Sequence, residues 1–394
     1  MLAKGRNAGR RTVFPIVMIA VFTVLVCAAT AAAQQAVSKK VPVEKVFGAI
    51  FSPDGEHILA AIRDGKNQHL HLFSIDGSQH RQITSGKRFD LFPSFSLDGK
   101  EIAFCSATDF TRKLTGMHPD IYTIPTSGGD AKRLTSTKFS EWWPQYFPSG
   151  TELIFEGDGD IFRADLKTGL VERLTSTPAY DTFPTINPSD GSIVFWRARW
   201  YGHNSPIASE AHHYFSSYLL AGPAAMETSI GSEDLYRLES VVTSTRAGPL
   251  LLDGGVGRWR IWTAAQPNSP KLLAPFDPEY KDSLSIEGVE KQGIRLAYYP
   301  SFVPGGDRIL FVSPNSSSGS TDSKNMDIFT VDIDSFETRR ITRLMVNIRE
   351  PRISPSGEQV LFLVDPKPYG HKYLCQLWLM GLDGSNPHQF VVSE

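Results

Sequence analysis

Three carboxylates occupy one recurring place in this 394-residue chain, each three residues ahead of a proline: Asp90 before Pro93, Glu141 before Pro144 and Asp181 before Pro184. Acids repeated in this way can surround a hard cation such as Ca²⁺, or accept backbone amides where a strand begins. A second acidic run, Gly157-Asp158-Gly159-Asp160 after Glu156, has calcium-loop composition but lacks the twelve-residue spacing of an EF-hand, so it reads as a tight hairpin. Histidines gather in one segment, where His203, His212 and His213 stand near Trp200, Tyr201 and Glu210; His118 and His371 stand in other loops. Loop imidazoles can ligate a transition ion or act as bases, although this spacing matches no metal motif. No Ser-His-Asp set, phosphate loop or nucleic-acid motif is present, so no residue is assigned a catalytic role.

The elements that must position these groups come from a repeat. FDLFPSFSLDGKEIAF (residues 89 to 104) recurs as EWWPQYFPSGTELIF, YDTFPTINPSDGSIVF, AYYPSFVPGGDRILF and REPRISPSGEQVLF. Each reads as a strand, a tight turn and a second strand, with turn glycines at Gly55, Gly99, Gly150, Gly191, Gly306 and Gly357. Their separations are 44, 51, 41, 115 and 51 residues, and the double interval marks an eroded unit between Gly191 and Gly306. A third strand, a polar hairpin and a fourth strand follow each pair, as in DIYTIPTSGGDAKRLTS and DIFRADLKTGLVERLTS. Four short strands in about 40 to 50 residues describe one propeller blade, so the fold class is an all-β propeller of four-stranded blades.

RIWTAAQPNSPKLLAP and ESVVTSTRAGPLLLDGG supply the eroded unit, which gives seven blades at about 47–86, 88–137, 138–177, 178–231, 232–275, 276–344 and 345–394. Six blades follow instead if 199–257 is one long insertion. The proline of each repeat is expected to begin the first strand, where no ladder donor is needed. The aromatics before it, Phe92, Trp143, Phe183 and Tyr299, are expected to fill the wedge between blades.

Ahead of the repeat, residues 1–33 carry a basic start, a short apolar run and Ala31-Ala32-Ala33, the pattern of a secretory signal, and 34–46 read as a linker. The protein is therefore expected to be exported, periplasmic or extracellular, with no stable membrane span after cleavage. Arg10-Arg11 also allows twin-arginine export. Lys plus Arg (40) nearly balances Asp plus Glu (42), which gives no support for a nucleic-acid partner. Of three cysteines, Cys27 leaves with the signal, and Cys105 and Cys375 read as buried free thiols.

FSPDGEHILA, FSLDGKEIAF and ISPSGEQVLF, each followed by a strand such as DIYTI and an ending such as RLTS, resemble the WD40-like repeats of the TolB-type β-propellers. The resemblance covers about residues 47–394 and is to an exported bacterial type without the α/β domain that precedes the TolB propeller. Similar repeats occur in prolyl-oligopeptidase-like and tricorn-type peptidases, whose catalytic domain finds no counterpart here, and in oligogalacturonate lyases, which work inside the propeller with a metal and histidines.

In an up-and-down blade, the connection between strands two and three and the link to the next blade share one face. The long segments, 107–120, 199–215, 276–295, 313–327 and 364–373, all fall there. The expected function is a monomeric, non-catalytic scaffold that binds a protein, peptide or envelope ligand on that face. Its candidate residues are Asp90, Glu141, Asp181, Trp200, Tyr201, His203, His212 and His213. No cofactor is expected beyond a possible Ca²⁺ at the channel mouth. The alternative is a metal-dependent polysaccharide lyase or hydrolase.

Overall fold

The computed structural model describes residues 40–107, 118–176, 180–186, 191, 193–199, 214–220, 227–229, 237–244, 248–255, 258–263, 271–274, 298–314, 326–332, 334–335, 337–366 and 375–393. By its internal contacts the chain divides into two units, Met1–Val41 with Ser393–Glu394, and Pro42–Val392. The described residues of the first are Lys40, Val41 and Ser393, each within a short strand. No helix among the described residues is long and apolar enough to cross a membrane.

Within Pro42–Val392 the described strands group into seven four-stranded sets in sequence order, beginning at Val46–Phe51, Phe89–Phe95, Glu141–Tyr146, Tyr180–Ile186, Arg237–Ser244, Tyr298–Phe302 and Asn347–Ile353. All pairings inside a set are antiparallel. Each first strand contacts the first strands of the sets before and after it, and Asn347–Ile353 contacts Val46–Phe51, so these strands form a closed inner ring. The unit is an all-β propeller.

The recurring letters have recurring jobs. The phenylalanine that ends four of the repeats is buried on the second strand and faces an aromatic of the third. Phe104–Tyr122, Phe155–Phe162, Phe311–Phe329 and Phe362–Trp378 are such pairs, with ring centroids 5.8, 5.6, 5.7 and 6.1 Å apart. Cross-strand aromatic pairs of this kind stabilise the pairing of the second and third strands. The turn glycines take φ near +70°, where a side chain would be strained. The turn proline of one blade packs on the glycine of the next, Pro53 on Gly99, Pro304 on Gly357, and Pro355 of the last blade on Gly55 of the first. The Thr of RLTS accepts a third-strand amide fourteen residues back, Leu70 N–H to Thr84, Ile121 to Thr135, Ile161 to Thr175 and Ile328 to Thr342.

The Asp that opens the third strand pairs with the Arg thirteen residues on: Asp120 with Arg133, Asp160 with Arg173 and Asp327 with Arg340. In the first blade the same two positions hold His69 and Gln82, and Gln82 Nε2 donates to the Thr84 carbonyl much as Arg173 Nε donates to that of Thr175.

The closing blade is also bound by the chain start. Val43 N–H donates to the Phe390 carbonyl at 3.0 Å, Leu377 N–H to the Val43 carbonyl at 3.1 Å, and Val46 exchanges bonds with Cys375. Val43, Val46, Phe73, Leu361, Leu377 and Phe390 share one core cluster, which seals the seam. Cys105 and Cys375 are buried free thiols, as expected.

Candidate functional site

The repeat prolines do not begin the inner strands. Pro93, Pro144 and Pro351 lie inside strands Phe89–Phe95, Glu141–Tyr146 and Asn347–Ile353, at a bulge where the register with the second strand shifts. A bulged residue has no ladder partner, so the missing proline N–H costs nothing there. The residue before each proline takes a left-handed conformation: Phe92 (φ 48°), Trp143 (φ 58°), Phe183 (φ 50°), Tyr299 (φ 52°) and Glu350 (φ 47°). For bulky residues this costs about 1–3 kcal/mol each and persists only where the surroundings impose it.

The bulge turns these side chains toward their counterparts in adjacent blades. Ring centroids of Phe92 and Trp143 lie 3.6 Å apart, and those of Trp143 and Phe183 lie 4.8 Å apart, while all three rings remain partly exposed. Phe47 and Trp142 set their edges against Phe92 at 5.7 and 6.1 Å. A continuous aromatic arc therefore runs across the middle of three inner strands. At the equivalent place in the last blade stands Glu350, whose carboxyl is pushed up by burial against the pull of Arg352 and Arg349. Arg349 is in turn hydrogen-bonded to Tyr299.

The three acids lie at the starts of these strands and are fully buried. Asp90 accepts from Arg88 Nε at 2.8 Å, and Arg88 also donates to Ser106 Oγ and stands over the Phe104 and Tyr122 rings at 5.4 and 4.9 Å. Gln68 Nε2 donates to the Asp90 carbonyl, and His69 Nδ1 stands 3.8 Å from Asp90 Oδ2. Glu141 accepts from the hydroxyls of Thr135 and Thr137 and from the Ile121 N–H at 3.3 Å. Burial pushes its carboxyl up, with the two hydroxyls opposing. Asp181 N–H donates to the Gly159 carbonyl at 2.7 Å. Glu141 thus joins one blade to the one before it by capping a third-strand amide. Gln68, His69 and Arg88 complete the first such junction, and only the His at an otherwise acidic repeat position signals it in the sequence.

Gly157–Asp160 is a two-residue hairpin, with Asp158 and Gly159 both at positive φ. Glu156, at its edge, is buried and accepts from Tyr180 and Thr182 of the next blade. His118 is exposed, 3.5 Å from Ser140 Oγ. Trp200, Tyr201, His203, Glu210, His212, His213 and His371 lie outside the described residues.

Connections between second and third strands are tight in the first, third and fifth blades and long in the second, fourth, sixth and seventh, at 108–119, 200–213, 315–325 and 366–375. Away from that face, a cleft of about 410 Å³ between the sixth and seventh blades is lined by Arg308, Arg339, Glu358 and Asp383. Asp54, Glu56 and His57 come together at the first turn, where Asp54 is already bound to Ser52 and the Glu56 N–H.

Residues 23–205 match the family model of the TolB beta propeller domain. A TolB homologue from Chlorobium chlorochromatii is 28% identical over 147 residues, 37% of this chain and 32% of that protein, and a second from Chlorobium luteolum is 29% identical over 146 residues, again 37% and 32%. The chain matches about a third of the length of these curated relatives. Among solved structures, an oligogalacturonate lyase in complex with manganese superposes with a TM-score of 0.59 at 13% identity, covering 89% of this chain and 85% of the lyase. That likeness is one of fold.

Proposed function

We propose, from the premise that the chain is a TolB-like β-propeller, that it is an exported, monomeric scaffold that binds a protein, peptide or envelope ligand through its long-loop face. The observation that carries this reading is the arc of Phe92, Trp143 and Phe183. Their rings are held partly exposed at the bulge by left-handed backbone, on the inner strands of three successive blades. A rigid ring that presents ordered aromatics lowers the entropy lost on binding, and aromatic anchors supply much of the energy of protein recognition. Charge at the same level comes from Glu350 with Arg349 and Arg352, which can orient a polar group of the ligand. Asp90 and Glu141, at the starts of the same strands, hold this surface in place by joining blades.

Trp200, Tyr201, His203, His212 and His213 belong to the fourth-blade connection at 200–213 and are assigned to the rim of the same surface. The likeness in name to TolB homologues supports a protein partner in general.

Cross-linking in intact cells followed by mass spectrometry tests the reading. A defined partner is expected for the wild type, with recovery falling several-fold for Trp143→Gly and for Trp200→Ala with Tyr201→Ala. Failure to recover any partner, together with cleavage of pectin-like oligomers by metal-loaded protein that is lost in His203→Ala, would replace binding with lyase chemistry.

A further inference from the structure

Outside the channel, the third and fourth strands of the first blade bring two imidazoles face to face. His71 Nδ1 and His80 Nε2 are 2.9 Å apart. The rings are tilted by only 20° with centroids 5.2 Å apart, so they meet edge to edge with nitrogens between them. Strand register fixes the encounter, since His71 is paired with Gln82 and Phe73 with His80, which makes the two histidines diagonal neighbours on one face. Phe73 forms the floor. It is 1% exposed, stacks on His80 at 4.6 Å and lies nearly parallel to His71 at 6.3 Å, and it is held by the edge of Phe390.

We propose that His71 and His80 form a chelating site for one divalent transition ion of the class that prefers imidazole nitrogen, Cu²⁺, Zn²⁺ or Ni²⁺. Both rings are neutral at ordinary pH. Burial, then the His80 and His69 charges, push the His71 imidazole down to about 4, and burial lowers His80 as well. Neutral imidazoles are the metal-binding form. Without an ion, one facing nitrogen carries the N–H and the other its lone pair. Shifting that proton to the far nitrogen of the same ring leaves two lone pairs facing each other, with no proton lost. Ion–nitrogen distances of about 2.0–2.1 Å at a tetrahedral angle need the nitrogens about 3.3 Å apart and both lone pairs aimed at the ion, so the pair must open by a few tenths of an ångström and the rings must turn from their head-on approach. His80 is exposed and can move by that much, while His71 is anchored on its strand. Water or a ligand from another molecule would fill the remaining positions.

The test is calorimetric titration of the untagged, metal-free full chain at pH 7.5 with Cu²⁺ and with Zn²⁺, alongside His71→Asn, His80→Asn and His57→Asn. One ion per chain is expected, Cu²⁺ tighter than Zn²⁺ as the divalent series orders them. His80→Asn and His71→Asn should each weaken binding at least tenfold, and His57→Asn should leave it unchanged. Electron paramagnetic resonance of the Cu²⁺ form should show two nitrogen ligands. His80 is on the surface, so its variant keeps the test valid if His71→Asn folds poorly. Absence of saturable binding, or binding that survives His80→Asn, overturns the proposal; loss of binding in His57→Asn would move the ion to the Asp54 turn.

Discussion

Phe92 and Trp143 come from successive blades, each at positive φ before a proline, and their rings meet at a centroid separation of 3.6 Å. Two opposing energies meet in that contact. An aromatic pair contributes about 0.5–1.5 kcal/mol beyond area burial, while a bulky residue in the left-handed region costs about 1–3 kcal/mol. Trp143→Gly relieves the second while losing this pair and the one with Phe183, so its unfolding free energy should stay within about 2 kcal/mol of wild type, with partner recovery sharply reduced. A loss above about 3 kcal/mol in urea denaturation would show that Trp143 is a packing wedge and remove it from the recognition surface.

The Asp–Arg pairs are expected to behave asymmetrically. Asp327 is fully buried and is held by Arg340 and by the Thr342 hydroxyl at 2.8 Å. Arg340→Met leaves that carboxylate with one neutral donor, at a cost of about 3 kcal/mol, as for other broken buried pairs. Adding Asp327→Asn should recover most of the loss, because the first blade builds the same position with His69 and Gln82. A double variant no more stable than the single one would contradict this.

Glu156 should make stability fall as pH rises. Burial raises its carboxyl above the ordinary range, with Thr182 and Tyr180 opposing. A raised folded pKa means the native state favours the protonated acid. The associated stability is complete below the unfolded value of about 4.3 and is lost as pH climbs through the folded value. Glu156→Gln keeps an acceptor for a neighbouring hydroxyl and removes the charge. It should be more stable than wild type at pH 7.5, with the difference vanishing near pH 4. Urea melts at the two pH values decide it, and a variant less stable at pH 7.5 would show that the ionised form is favoured.

Much of the architecture was legible because each blade repeats the same physical solution. The terminal Phe of IAF, LIF, ILF and VLF, the turn glycine and the Thr of RLTS each answer a need that recurs in several blades, so they stand out as letters. The aromatics Phe92, Trp143, Phe183 and Tyr299 are visible in the same way, and Phe92 does pack between the second and third blades. Their left-handed backbone was not visible, because it depends on a register shift against the second strand, which a one-strand pattern does not encode. The proline, read as a strand opener, sits at that shift. The burial of Asp90 and Glu141 was equally hidden, since Arg88 and Thr135 reach them from different connections. Glu141 accepts the Ile121 amide, one of the two roles that its position allowed.

The seam between the last and first blades is closed through the chain start, so loosening Val43 should open the ring there first. Val43 bridges two elements of the last blade, donating to Phe390 and accepting from Leu377, while its side chain is buried with theirs. Val43→Pro removes the donated bond and leaves the Phe390 carbonyl without that partner, a change expected to cost about 1–3 kcal/mol. The loss should be local. In hydrogen exchange, the amides of Cys375, Leu377 and Phe390 should lose protection first, while Phe155 and Ile161 in the third blade keep theirs, since each blade is stabilised mainly by its neighbours. Uniform loss of protection across all blades would instead show that the ring unfolds as one cooperative unit and that the seam is no weaker than its other junctions.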